Sequence, residues 1–103
     1  MKIQQAATTE DLKRCYEVMK ALRPHHNLES FLITIEQMFK EGYRLMYLED
    51  NNRLVCVAGY RFTTTLYDGL MIDFDDFVTL ETERGKGYAG HLFDHLVSMA
   101  KEK

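Results

Sequence analysis

Apolar residues recur at three- and four-residue steps in three stretches of the chain and gather into continuous runs in three others, and this change of period orders the elements. Residues 2–6 are short and mildly apolar and read as a strand. Thr8-Thr9-Glu10-Asp11 carries the hydroxyl-to-acid spacing of a helix start, so the first helix is expected to begin near Thr9. Leu12, Cys15, Tyr16, Met19 and Leu22 stack on one face of it, Asp11, Lys13, Glu17 and Lys20 on the other, and Pro24 ends it. Asn27 is placed to cap a second helix. Its stripe runs Leu28, Phe31, Leu32, Ile35, Met38 and Phe39, and stops at Gly42, a residue type suited to a left-handed C-terminal turn.

From Tyr43 the period changes. Residues 43–48 and 54–62 are rich in aliphatic and aromatic side chains and predict a hairpin joined by the polar segment Glu49-Asp50-Asn51-Asn52-Arg53. A bend at Tyr67-Asp68-Gly69 leads to a third run, 70–80, antiparallel to the second because so short a connection leaves no room for a crossover helix. Residues 81–87 form a turn, and a last helix covers 88–101 with Leu92, Phe93, Leu96, Val97 and Ala100 as its stripe. The expected class is α+β, a mostly antiparallel sheet in the order β-α-α-β-β-β-α.

Composition narrows what such a domain does. With 46% hydrophobic and 28% charged residues in 103, the chain is neither a disordered tail nor a membrane protein, and it is expected to form one domain over residues 1–103. Thirteen Lys+Arg against sixteen Asp+Glu give a net charge of −3, so nucleic acid and anionic membranes are not expected partners and any bound anion must be held locally. The first residues lack the apolar core of a secretion signal, which suggests the cytoplasm. Cys15 and Cys56 fall in an apolar stripe and an apolar run, where reduced core thiols are expected.

The strongest chemical signal is Arg84-Gly85-Lys86-Gly87-Tyr88-Ala89-Gly90, between a strand and a helix. That junction aims free backbone N–H groups and the positive helix end at an anion, and glycine lets the backbone approach phosphate oxygens closely. Gly85-x-Gly87-x-x-Gly90 also satisfies the dinucleotide fingerprint, but no parallel βαβ unit surrounds it and no acidic residue follows at the required distance.

Arg84-Gly85-Lys86-Gly87-Tyr88-Ala89 resembles motif A of the GCN5-related N-acetyltransferases (GNAT), and the order strand, two helices, three-strand meander, motif A is that family's order. The segments Leu22-Arg23-Pro24-His25, Glu41-Gly42-Tyr43-Arg44-Leu45, Val57-Ala58-Gly59-Tyr60-Arg61 and Asp75-Asp76-Phe77-Val78-Thr79 are similar to a branch of small bacterial members. The resemblance implies that Phe77, Val78 and Thr79 pair by their backbone with the pantetheine arm of acetyl-coenzyme A. It further implies that Arg84, Gly85, Lys86, Gly87, Tyr88, Ala89 and Gly90 lie under the pyrophosphate. It also implies a further strand, helix and closing strands after motif A, including a Tyr that protonates the leaving thiolate. The chain shows no counterpart of these, so no general acid is named. An incomplete sheet of this kind is expected to self-associate, with a homodimer burying the edge of the 70–80 strand.

Six carboxylates and no Lys or Arg lie between Phe62 and Glu83, a stretch that invites a cationic acceptor. An amine with a pKa near ~10 must lose a proton before it attacks a thioester. Asp75, Asp76 and Asp73 are the candidate bases. With regular alternation Asp73 shares the face of Asp75, and Asp76 takes the other. His91 and His95 stand at a metal-ligand step, but without the acid of a zinc motif they are not read as ligands. His25-His26 lie in the loop between the first two helices, a solvated loop by default. Two functions follow: an acetyl-coenzyme A dependent N-acetyltransferase acting on a primary amine of a small molecule or peptide, or a non-catalytic module of the same fold that binds coenzyme A or a protein partner.

Overall fold

The computed structural model of the chain describes residues 1–102. Its elements are β1 (Lys2–Gln5), α1 (Thr9–Met19), α2 (Leu28–Lys40), β2 (Tyr43–Asp50), β3 (Arg53–Thr65), β4 (Gly69–Thr79), a 3-10 turn (Glu81–Glu83) and α3 (Tyr88–Lys101). The four strands form one antiparallel sheet in the order β1-β2-β3-β4.

Local signals set the helix starts. The Thr8 side chain accepts from the Asp11 N–H at 3.0 Å while Asp11 Oδ2 accepts from the Thr8 N–H at 3.2 Å, and Asn27 and Ser30 make the same reciprocal pair for α2. Gly42 ends the second helical region at φ +94°. α1 closes at Met19, earlier than its stripe suggests; Leu22 lies in the following turn, over one third exposed. Pro24 restricts Arg23 to extended backbone, so the helix unwinds before it.

The hairpins are longer and tighter than the hydrophobic runs imply. Glu49, Asp50 and Arg53 belong to strands, and the β2–β3 turn consists of Asn51 and Asn52 alone, at φ 53° and 61°. Asparagine tolerates the left-handed backbone that a two-residue turn requires. β3 likewise continues to Thr65, and Gly69 at φ +73° closes its hairpin with β4.

Helices cover both sheet faces. Cys15, Val18, Met19, Phe31 and Ile35 of α1 and α2 pack on Tyr43, Leu45, Tyr47, Val57 and Val78. Leu92 and Leu96 of α3 pack on Met46, Leu48, Cys56, Ala58 and Tyr60 on the other face. Each fully buried aliphatic residue adds ~1.5–3 kcal/mol of transfer free energy, so both faces resist exposure. Phe93, expected in the α3 stripe, is nearly half exposed, its ring centroid 5.3 Å from that of Phe74 on β4. Both cysteines are free and buried; burial pushes the Cys15 thiol up to about 12.

Candidate active site

The geometry of the site begins with a break in the β3–β4 register. Gly59 pairs with Asp76 and Tyr60 with Phe74, so Asp75 is an extra residue, a β-bulge. Phe74 and Phe77 therefore point to the same side, toward α3, with ring centroids 5.6 Å apart. Asp76 and Asp73 share the opposite face, opposed to Gly59 and Arg61. The expected pairing of Asp73 with Asp75 against Asp76 is thus overturned: the bulge shifts the alternation by one residue.

Asp76 is buried, and both its oxygens are occupied. Tyr43 Oη donates to Oδ2 at 2.6 Å; Arg23 Nε donates to Oδ1 at 2.9 Å, and Arg23 Nη2 lies 2.7 Å from the same oxygen. Tyr43 sits on β2, so its hydroxyl must cross β3 to reach β4, and it does so at Gly59. A Cβ at position 59 would lie 1.6 Å from Tyr43 Oη. Burial first, and the bond to Asp76 next, raise the Tyr43 hydroxyl above the usual phenol range and keep it a donor.

Asp75 projects from the bulge with its side chain 42% exposed. Its Oδ2 accepts from Arg61 Nε at 2.9 Å, and the Arg61 guanidinium lies over the Tyr43 ring at 5.3 Å. Asp73 Oδ2 accepts from Thr63 Oγ1 at 2.9 Å. The acidic stretch that lacks cations in sequence is therefore partly neutralised in space, by arginines from β3 and from the α1–α2 connection.

Just after β4, the ladder ends with Leu80 N–H donating to Val55 O at 2.9 Å, and the glycine turn follows. Gly85 and Gly87 adopt φ +83° and +85°, backbone that side-chain-bearing residues avoid, and Gly87 is the N-cap of α3. A Cβ on Gly85, Gly87 or Gly90 would meet nothing within 4 Å, so open space faces this backbone. The Arg84 N–H donates to Glu81 O at 3.4 Å, and after it, among the described residues, the next N–H to find an acceptor is that of His91, bonded to Gly87 O at 3.1 Å. Arg84 Nε donates to Thr79 O at 3.3 Å, which ties the turn to the end of β4. Lys86 Nζ lies 3.1 Å from Glu83 Oε1. Tyr88 Oη donates to Asp50 Oδ2 at 2.6 Å and ties the first turn of α3 to the β2–β3 hairpin.

Phe77, Val78 and Thr79 precede this turn on β4, which has β3 on one side and no other strand among the described residues. Val78 is core on the α1–α2 face, and Thr79 Oγ1 donates to Cys56 Sγ at 3.3 Å. Neither group is needed for recognition by backbone, which depends on the free edge. Of the loop histidines, His26 Nδ1 lies 3.0 Å from Ser30 Oγ, and His26 borders a cleft beside Asp76. No group of three or more metal-ligating side chains gathers among the described residues, at His91 and His95 or elsewhere.

A strand edge, a bulge and a left-handed glycine turn opening a helix thus follow one another along β4 and the segment after it. The chain matches the acetyltransferase (GNAT) family over residues 6–103. It belongs to that family. Among its relatives is the uncharacterized N-acetyltransferase YhdJ of Bacillus subtilis (strain 168), 27% identical over 101 residues, or 97% of this chain and 71% of that protein. A GNAT family acetyltransferase from Staphylococcus aureus subsp. aureus USA300_TCH1516 superposes with a TM-score of 0.84 at 16% identity, covering 98% of this chain and 78% of that one. The aminoglycoside N-acetyltransferase AAC(6')-Iy, solved in complex with CoA, superposes at 0.80 with 15% identity, covering 98% and 69%. At such identities these two structures establish the shared GNAT fold.

Sequence reasoning placed the glycine turn but assigned no role to Arg23, Tyr43, Gly59 or Arg61, which hold the bulge. A signal was available at Gly59: a lone glycine inside a buried apolar strand marks a bulge or a close approach.

Proposed function

We propose that the chain transfers an acetyl group from acetyl-coenzyme A to a primary amine of a small molecule or peptide, by direct attack with general-base assistance. The observation that carries this reading is the row of N–H groups over residues 85–90 that find no acceptor among the described residues, at the left-handed glycine turn that follows the edge of β4. Residues 84–90 fit a pyrophosphate: the N–H groups at the helix start face open space, and Arg84 and Lys86 stand at the rim. The backbone of Phe77, Val78 and Thr79 fits an extended amide-containing arm. Bound there, acetyl-coenzyme A supplies the activated acetyl group.

Asp75 is the proposed base. Arg61 engages its Oδ2, and Oδ1, which accepts no hydrogen bond among the described residues, is left to take a proton from the ammonium of the acceptor, directly or through water. Asp76, with both oxygens occupied, is assigned to hold the bulge, and Asp73 to attract the cationic acceptor at its outer side. Calorimetric titration with acetyl-coenzyme A, followed by a thiol-release assay over a panel of amines, tests the reading; absence of binding overturns it.

The second reading is a module that binds coenzyme A or a protein partner without turnover. It is favoured by the arginines already resting on both bulge carboxylates. Binding without thiol release from any amine identifies it. The first reading includes a cytoplasmic location, consistent with two free buried thiols, and a homodimer through the outer part of the β4 edge, where Leu70 and Met71 are partly exposed. Light scattering at micromolar concentration tests the dimer, and a monodisperse monomer overturns it.

A further inference from the structure

A cleft of about 50 Å³ lies among residues of α1 and α2 and is bordered by Tyr43 and Asp76. Met19, Phe31, Ile35 and Met38 make its lining predominantly apolar, Thr34, His26 and Tyr43 complete the walls, and Arg23, with its side chain 45% exposed, stands at the mouth. At roughly 10–15 Å³ for each water-sized group, the space takes about four such groups, the size of a short branched aliphatic or thioether side chain. An indole does not fit.

The polar groups at the mouth form a matched pair. Arg23 Nε and Nη2 face Asp76 Oδ1, and Nη2 also donates to the Asp75 carbonyl at 3.3 Å, which fixes the guanidinium plane. Its Nη1 has no acceptor among the described residues, and the side chain is 45% exposed. On the residue whose carbonyl Arg23 holds, Asp75 Oδ1 accepts no hydrogen bond among the described residues. The Nη1 of a guanidinium and an anionic oxygen, each with spare capacity and joined through one backbone carbonyl, are complementary to a zwitterion. A carboxylate is bound by the first and an ammonium by the second, above an apolar hole.

We infer that the acceptor is an apolar α-amino acid. Its carboxylate rests on Arg23, its side chain enters the cleft between Met19, Phe31, Ile35 and Met38, and its amine lies at Asp75. This inference rests on the transferase reading above for the fate of the amine, but not for the binding itself. It makes Arg23 a specificity-determining residue: a free carboxylate next to the amine is required, and amines without one are poor ligands.

Calorimetric titration of the protein, with and without coenzyme A, compares L-leucine, 3-methylbutan-1-amine, which is leucine without its carboxylate, and L-serine, which keeps the carboxylate but not the apolar side chain. Leucine is expected to bind at least ~10-fold more tightly than either of the others. Equal affinities for leucine and the amine, or for leucine and serine, overturn the inference. Arg23→Gln is expected to bring leucine down to the affinity of the amine, and an unchanged ratio in a folded variant also overturns it. If that variant does not fold, the ranking on the unaltered protein decides by itself. Leucine bound in this order but never acetylated leaves the site standing and removes the transferase reading. Thiol release with other amines, without binding of leucine, does the reverse.

Discussion

Tyr43 and Asp76 are joined by a 2.6 Å hydrogen bond that runs through the place where residue 59 would carry its side chain. The bond spans three strands, β2 to β4 across β3, and holds the carboxylate next to the bulge in a buried position. It makes one glycine a condition for the shape of the site.

Gly59→Ala therefore inserts a methyl group against a phenol that is buried and cannot retreat. Overpacking of this kind costs ~1–3 kcal/mol, and displacing Tyr43 from Asp76 adds the cost of a buried polar group left short of a partner. Urea denaturation is expected to show a loss of at least ~2 kcal/mol, larger than that of Tyr43→Phe, which removes the hydroxyl without a clash. A loss below that of Tyr43→Phe would contradict the geometry.

Gly87→Val acts without any clash in the protein itself, since a Cβ there meets nothing. It forces a β-branched residue into φ +85° and projects methyl groups over the N–H groups of the α3 start. Affinity for acetyl-coenzyme A is expected to fall at least ~10-fold in a variant that keeps its far-ultraviolet circular dichroism. Retained affinity would take the glycine turn out of the binding site.

Asp75→Asn keeps the shape of the proposed base and removes its capacity for a proton. Acetyl transfer is expected to fall ~10²-fold or more in kcat, with the affinity for acetyl-coenzyme A nearly unchanged. A full-rate variant would exclude Asp75 and transfer the same test to Asp73.

Asp11 titrates below the ordinary carboxylate range, chiefly because the Ala7 N–H and then that of Thr8 donate to it. Asp50 is lowered as well, first by the bond from Tyr88. A carboxyl depressed in the folded state adds stability above its unfolded value near ~3.9, and that stability is lost as pH falls through the folded value. The protein is expected to lose stability as pH drops below about 4. Asp11→Asn should lower the stability at neutral pH and flatten that acid limb; an acid limb of unchanged slope in thermal melts would rule out this contribution.

The sequence by itself determined the elements, because their signals are local. A capping box at Thr8, an asparagine cap at Asn27 and a left-handed glycine at Gly42 act within a few residues of the backbone they shape. The glycine turn was legible for the same reason: Gly85 and Gly87 are required by their own φ, whatever surrounds them. Only the tertiary structure decided the environment of the carboxylates. The bulge at Asp75 arises from a register between β3 and β4 that no single strand encodes, and it reassigns the face of every residue beyond it. Arg23 lies 53 residues from Asp76 in the chain, and Tyr43 lies 33. Such pairs carry no periodicity and no spacing rule, since they form only when the sheet brings the two ends of the chain together. An acidic stretch without cations in one dimension thus becomes a partly partnered one in three, Asp76 held by Arg23 and Tyr43 and Asp75 by Arg61 through one oxygen.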